Sequence, residues 1–339
     1  MKIQTLILGL TGLIVLLIVG GGFYVYSITQ PADLTPIFEP RPQPAQAVFT
    51  VGGDSVTVHA LPTGTIQIKA CHHDGCLPEE TAYPRRFGAI LQDDQFVRPM
   101  PIWTYVVAHP QGTYLIDTGG AKDWDDPDSW ACDPVSGRIC RSMARVQILE
   151  EEYLENRLVA ADIHQAQLKA AVITHLHFDH TAGIRMLGVP TYVGQGDLDH
   201  AQNIGSVPCK FLDGADLRPL EPLLMASQSP KSDSNKLLGP AFSLTQDRNL
   251  QVYHTPGHTP GSLTVRLKTD QGDIWFVGDT MFKEGDVAEG KSTAGIHTDI
   301  PSVRNLHAHF RQLKKDGTVL LLPSHDDEAG QHLEAFAQE

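Results

Sequence analysis

One short segment constrains this chain more than any other: Thr174-His175-Leu176-His177-Phe178-Asp179-His180. It places three histidines and an aspartate within six residues, at the end of a short apolar run, Ala170-Ala171-Val172-Ile173. Imidazole and carboxylate are the side chains that bind divalent cations through nitrogen and oxygen. In an extended segment, a spacing of two puts His175 and His177 on the same side. If a helix begins near Asp179, its carboxylate and the His180 ring turn toward a second point close by. One stretch can then serve two cations, which in two-metal sites lie about 3.5–4 Å apart.

Four side chains cannot complete two such sites, because a zinc ion alone commonly takes four ligands. The rest of the chain offers three more. His258 lies in the tight loop Thr255-Pro256-Gly257-His258-Thr259-Pro260-Gly261, Asp279 follows Val277-Gly278, and His325 follows Pro323-Ser324. Each falls at the end of a predicted strand, where loops on a β scaffold commonly carry function. Asp117, in Ile116-Asp117-Thr118-Gly119-Gly120, sits at another strand end. It reads equally as a support for the site and as a turn-capping aspartate.

The element pattern is strands first, then helix and strand, occurring twice. Alternation predicts strands at Val56–Ala60 and Ile66–Lys69 with a turn at Pro62-Thr63-Gly64, and a second hairpin of Ile102–Ala108 with Thr113–Ile116. Residues 123–137 read as a long loop. Val146, Leu149, Tyr153, Leu154 and Leu158 follow helical spacing. Further strands are expected at Ala170–Thr174, Leu250–His254, Ser262–Leu267, Asp273–Val277 and Thr318–Leu322, with a helix from Pro301 to about Leu313. This pattern predicts an α+β fold of two sheets with helices outside them.

The N-terminus has a different character. No charged residue occurs from Ile3 to Ala32, and Leu6 to Ile28 is almost wholly apolar. As a helix this run would span roughly 34 Å, enough for a hydrocarbon core of about 30 Å. A cleaved signal peptide is the competing reading, but its apolar stretch is usually shorter. Lys2 precedes the run, while Asp33 and Glu39 follow it, so the positive-inside rule leaves the bulk of the chain outside the cytoplasm. The expected organisation is a transmembrane anchor or signal over residues 1–30, a proline-rich linker over 31–47 and a catalytic domain over 48–339. Localisation is then membrane-anchored with that domain outside, or secreted after cleavage. Two cysteine pairs, Cys71/Cys76 and Cys132/Cys140, read as local disulfides suited to an oxidising compartment. Free thiols, or a metal site using His72 and His73, are the alternatives. Cys209 is left over as a buried thiol. The net charge of −14, with no Lys/Arg cluster, argues against a nucleic-acid partner and leaves a small-molecule substrate.

The H-x-H-x-D-H segment, with the later His258, Asp279 and His325, resembles the signature of the metallo-β-lactamase superfamily. The spacing of the last two, the Asp117-Thr118-Gly119-Gly120 turn and the terminal His325-Asp326 are similar to those of N-acyl-homoserine lactonases within it. The resemblance covers about Thr50 to Glu339. It implies a four-layer αββα sandwich holding two divalent ions, usually zinc. One ion would bind His175, His177 and His258, the other Asp179, His180 and His325, with Asp279 bridging them. Asp117 and Asp326 would hold the far ring nitrogens of ligand histidines.

The chemistry of such a site is metal-dependent hydrolysis. Two cations lower the pKa of a shared water toward 7. The resulting hydroxide attacks a carbonyl whose oxyanion a cation stabilises. Asp179 would orient the nucleophile and later protonate the leaving alkoxide. A lactone or related ester is the expected substrate, which makes quorum quenching by N-acyl-homoserine lactone cleavage one expected role. One departure bears on specificity: many of the lactonases carry a tyrosine three residues after the bridging aspartate, and here that position is Phe282, which donates no hydrogen bond. The alternatives are a β-lactamase-like or phosphotriesterase hydrolase of the same fold, and a non-catalytic, metal-stabilised binding module. Against the last, all seven ligand positions are filled.

Overall fold

The computed structural model describes residues 40–122, 134–204, 212–221, 238–289 and 294–338. The apolar run at 6–28, Cys132 and Cys209 lie outside these. Among the described residues no helix is long and apolar enough to cross a membrane.

Two mixed sheets form the centre. The first contains β1 (Ala45–Val51), β2 (Asp54–Ile68), β3 (Met100–His109), β4 (Gly112–Ile116), β5 (Ala144–Gln147), β6 (Leu168–Val172), β7 (Thr191–Gly194) and β8 (Leu217–Leu220). Its order is β1-β2-β3-β4-β6-β7-β8, with β5 pairing to β2. The second contains β9 (Ala241–Ser243), β10 (Leu250–His254), β11 (Leu263–Lys268), β12 (Asp273–Gly278) and β13 (Val319–Pro323), in the order β13-β12-β11-β10-β9. Strands β4, β6, β7 and β8 run parallel, as do β12 and β13; the other pairs are antiparallel.

Alternation along the strands explains the layering. Val56, Val58, Tyr105, Val107 and Val172 of the first sheet meet Val252, Val265, Ile274, Phe276 and Leu322 of the second in one buried core. The opposite face of the second sheet, through Trp275 and Leu321, packs on Leu306 and Phe310 of the helix Ile300–Asp316. The outer face of the first, through Leu61, Val106 and Ala171, packs on Leu154 and Leu158 of the helix Leu154–Ala160. The result is helix, sheet, sheet, helix.

Several expectations need correction. Pro62-Thr63-Gly64 does not turn the chain: β2 runs through it, with an irregularity between Pro62 and Thr65 that lets its far end leave β3 and pair with β5. The hairpin partner of β2 is β1, across a Gly52-Gly53 turn in which both residues have positive φ. The pattern read as one helix over 146–158 divides into β5, a tight turn at Glu150–Glu152 and a shorter helix. Of the loop expected over 123–137, residues 123–133 lie outside the described residues and the last four begin a helix at Pro134–Met143. Strand β1 begins inside the segment read as linker, and Arg41 in that segment ion-pairs with the buried Glu152.

Candidate metal centre

The sheets deliver the seven side chains from strand ends. β6 runs into the loop carrying His175 and His177, and the short helix Phe178–Thr181 then turns Asp179 and His180 inward. β10 precedes His258, β12 ends immediately before Asp279, and β13 precedes His325. Backbone bonds lock these ends together: Leu263 N donates to Thr174 O at 2.7 Å and Thr118 N to His180 O at 2.8 Å. Gly278 permits the approach. Its φ is 55°, and a Cβ there would meet the Thr174 side chain at 2.7 Å.

The side chains converge in two groups, His175, His177, His258 and Asp279 in one, and Asp179, His180 and His325 in the other. Asp279 faces both. Its Oδ2 lies 3.7 Å from His258 Nε2 and 3.9 Å from His175 Nε2, and its Oδ1 lies 3.3 Å from His325 Nε2 and 3.5 Å from His180 Nε2. In the first group His175 Nε2 is 2.8 Å and His258 Nε2 3.1 Å from His177 Nδ1.

Whether the donors suit cations follows from their electrostatics. Burial and neighbouring imidazoles hold His175 and His258 well below the usual histidine range, and burial lowers His177 too. Neutral rings thus aim nitrogens at a common point, where lone pairs repel unless a cation or proton lies between them. In the second group, burial disfavours charge on His180, yet Asp117, Asp179 and Asp279 raise its pKa well above the ordinary value. Burial is likewise outweighed at His325, which Asp279 and a hydrogen bond donated to Asp179 push up to about 10. Two protons thereby compensate the buried carboxylates. His180 Nε2 and Asp279 Oδ1 are nonetheless buried with no hydrogen-bond partner. An unpaired buried nitrogen beside an unpaired carboxylate oxygen is what a shared cation would satisfy, so the donor set fits two divalent ions.

The ring nitrogens facing away are held. Asp117 has φ 58° and is 1% exposed. It accepts from Thr174 N at 2.7 Å, Thr174 Oγ1 at 2.8 Å and His180 Nδ1 at 2.8 Å. Asp326 does not serve an imidazole: its carboxylate accepts from the backbone of Glu284 and Glu328, while His325 Nδ1 donates to Pro101 O at 2.8 Å. A backbone carbonyl was the nearer acceptor because β13 lies beside the start of β3.

Three supports were not legible beforehand. His297 is 1% exposed, and its Nδ1 lies 3.0 Å from His258 Nδ1. Desolvation brings its pKa to about 3, so it is neutral and can accept the His258 N–H. Arg86 fixes the His297 loop by donating to Gly295 O at 2.7 Å and His297 O at 2.8 Å. Asp197 accepts from Leu176 N at 3.0 Å and Gly261 N at 2.7 Å, tying two ligand loops. No local motif marks these residues. The site borders a cavity of about 210 Å³ whose walls include Ile66, Ile68, Phe87, Met100 and Met143. Phe282 is buried there, stacked on His73 with 5.0 Å between centroids. Cys71 and Cys76 form a disulfide in the turn next to His72, which removes the alternative of a metal at Cys71. Cys140 is buried on helix Pro134–Met143; its expected partner, Cys132, is outside the described residues.

A two-sheet sandwich carrying clustered histidines and aspartates at its strand ends defines a metal-dependent hydrolase. Residues 97–325 match the family model of the metallo-beta-lactamase superfamily, and the chain belongs to that superfamily. It is 22% identical over 203 residues to an N-acyl homoserine lactonase of a Bacillus species, covering 59% of this chain and 72% of that one. It is 28% identical over 165 residues to a hydroxyacylglutathione hydrolase of Shewanella loihica, covering 48% and 50%. Among solved structures, an N-acyl homoserine lactone hydrolase with N-hexanoyl-L-homoserine at its catalytic metal centre is similar with TM-score 0.61 and 16% identity, covering 81% of this chain and 94% of that one. A dizinc quorum-quenching lactonase with a bound product gives TM-score 0.53 at 13% identity, covering 84% and 91%.

Proposed function

We propose that the protein is a dinuclear metal-dependent hydrolase of a lactone or related ester bearing an apolar acyl group. The observation that carries this is the convergence of seven donors in two groups that share Asp279. His175, His177 and His258 would hold one ion, Asp179, His180 and His325 the other, with Asp279 between; zinc suits this donor set. Bound there, two cations supply an acidified water and a Lewis acid for a carbonyl oxygen.

The chain's own residues do the rest. The neutral His175, His177 and His258 present lone pairs without a proton to displace. Asp117 and His297 fix the rings of His180 and His258 from behind. Asp179 lies on the cavity wall, its Oδ2 3.3 Å from His325 Nε2. Its carboxylate orients the attacking water, takes its proton and returns it to the leaving alkoxide, so that ester and water become acid and alcohol. The apolar walls favour an aliphatic acyl arm and exclude bulk water. The relatives that act on acyl homoserine lactones support the lactone reading.

The apolar run at residues 6–28 and the Cys71–Cys76 disulfide support a membrane tether with the enzyme outside the cytoplasm. Fractionation followed by external protease tests this; a chain found in the soluble cytoplasmic fraction would contradict it.

The decisive assay uses the zinc-loaded protein on an acyl lactone, a penam and an aryl phosphotriester, with and without chelator. Turnover of the lactone, abolished by chelation and by Asp179→Asn, is expected. Turnover confined to the penam or the phosphotriester, or none at all, would refute the reading.

A further inference from the structure

Two imidazoles outside the seven line the same cavity, those of His72 and His200, and of these two only His72 has a buried ring nitrogen without a hydrogen-bond partner. His72 belongs to the short helix Ala70–His73, and its ring lines the cavity with His177, Asp179, Asp279 and His325. Its Nδ1 is buried without a hydrogen-bond partner. Such a nitrogen costs about 1–3 kcal/mol, and natural folds keep few of them away from functional sites. Desolvation pushes the His72 pKa down to about 3, and the charges of His177, Asp179 and Asp279 are close enough to act on it. In either charge state an imidazole has at least one N–H to give.

The ring is held in place by its backbone. Cys71 N donates to Asp93 Oδ2 at 2.7 Å, and His72 N to Lys69 O at 2.9 Å. The Cys71–Cys76 disulfide closes the turn behind it. Below, Gly295 lies so near that a Cβ there would meet Cys71 O at 2.1 Å. A donor fixed in this way loses little entropy on engaging a ligand. Its neighbours on the wall offer less. Phe282 presents a ring with no donor. Tyr83 also lines the cavity, but the charges that act on its hydroxyl are those of Arg86 and Cys140.

We propose that His72 binds the substrate, donating a hydrogen bond from its imidazole to the carbonyl oxygen of the lactone or ester lodged against the two donor groups. This rests on the hydrolase reading above. It assigns carbonyl recognition to a histidine on a disulfide-closed turn, remote in sequence from every proposed metal ligand.

The test compares the zinc-loaded wild-type chain with His72→Leu, His72→Gln and Tyr83→Phe. Each is assayed for metal content, melting temperature, kcat/KM on an acyl lactone, and calorimetric Kd for the matching lactam, a slowly cleaved carbonyl analogue. His72→Leu is expected to keep two metals while both kcat/KM and lactam affinity fall about tenfold, the value of one hydrogen bond. His72→Gln, which keeps a donor, should restore most of both, and Tyr83→Phe should change neither. If His72→Leu retains its metals and binds the lactam as tightly as wild type, the proposal is overturned. It is also overturned if Gln rescues nothing in a variant of unchanged melting temperature. A wild-type chain that binds the lactam but never turns over the lactone would sink the hydrolase reading alone, and the affinity comparison would still decide the role of His72.

Discussion

Replacing Asp117 with asparagine separates a metal-supporting role from a turn cap. Asparagine tolerates the left-handed backbone at this position, φ 58°, so the substitution adds little strain. Its carbonyl can still accept from Thr174 N. Its amide, however, now faces His180 Nδ1, which lies 2.8 Å from the Asp117 Oδ2 it would replace. Two N–H donors then oppose each other. His180 can escape only by moving its proton to Nε2, the nitrogen that points at Asp179 and Asp279. The lost charge-assisted bond is worth about 1.5–3 kcal/mol. That corresponds to roughly 10–100-fold in affinity, the same range as typical losses of outer partners at metal sites. Competition against a chelator of known affinity, with metal counted by mass spectrometry, should show the second zinc weakened by that factor and the first much less affected. Wild-type affinity for both ions would refute the reasoning and leave Asp117 as a turn-capping residue.

Three further outcomes follow from the geometry. His297→Ala removes the partner of His258 Nδ1 and should weaken the first metal group about 10–100-fold, read by the same competition, with the second group spared. Arg41→Ala leaves the buried Glu152 with the Leu149 N–H at 2.9 Å and Arg157 at 3.8 Å, and should cost about 3 kcal/mol in urea unfolding of the metal-free chain. The metal-free chain should also be most stable near neutrality. His325 is raised in the folded state to about 10, so its contribution is complete below about pH 6.5 and is lost as pH rises toward 10. His175, His177 and His258 are lowered, so theirs is lost as pH falls below about 6.5. Melting temperatures across this range check both limbs, and zinc should flatten the alkaline one.

What the sequence revealed of this site was its local chemistry. His175, His177, Asp179 and His180 are adjacent, and their residue types have few other uses together. His258, Asp279 and His325 could be found because each follows a short apolar strand. The rest depends on which strangers the fold brings together. His297 meets His258 across a loop fixed by Arg86, and His325 is held by the carbonyl of Pro101, which carries no side-chain signature at all. Asp326 looked like an imidazole partner from its adjacency, yet its carboxylate caps backbone N–H groups instead. Pro62-Thr63-Gly64 has turn residues but lies inside a long strand, because pairing with β3 on one stretch and β5 on the next outweighs local preference. The run from Val146 to Leu158 has helical spacing, but its first residues complete the edge of a sheet. His72 and His73 drew notice only through their neighbour Cys71, because the cavity that His72 lines exists only once β2, β3 and the helices have assembled.

Anomalous diffraction from crystals of the zinc-loaded protein tests the central claim most directly. Two peaks are expected, one about 2.0–2.1 Å from nitrogens of His175, His177 and His258 and the other at that distance from His180 and His325, with Asp279 reaching both. A single peak, or zinc bound away from these side chains, would contradict the account.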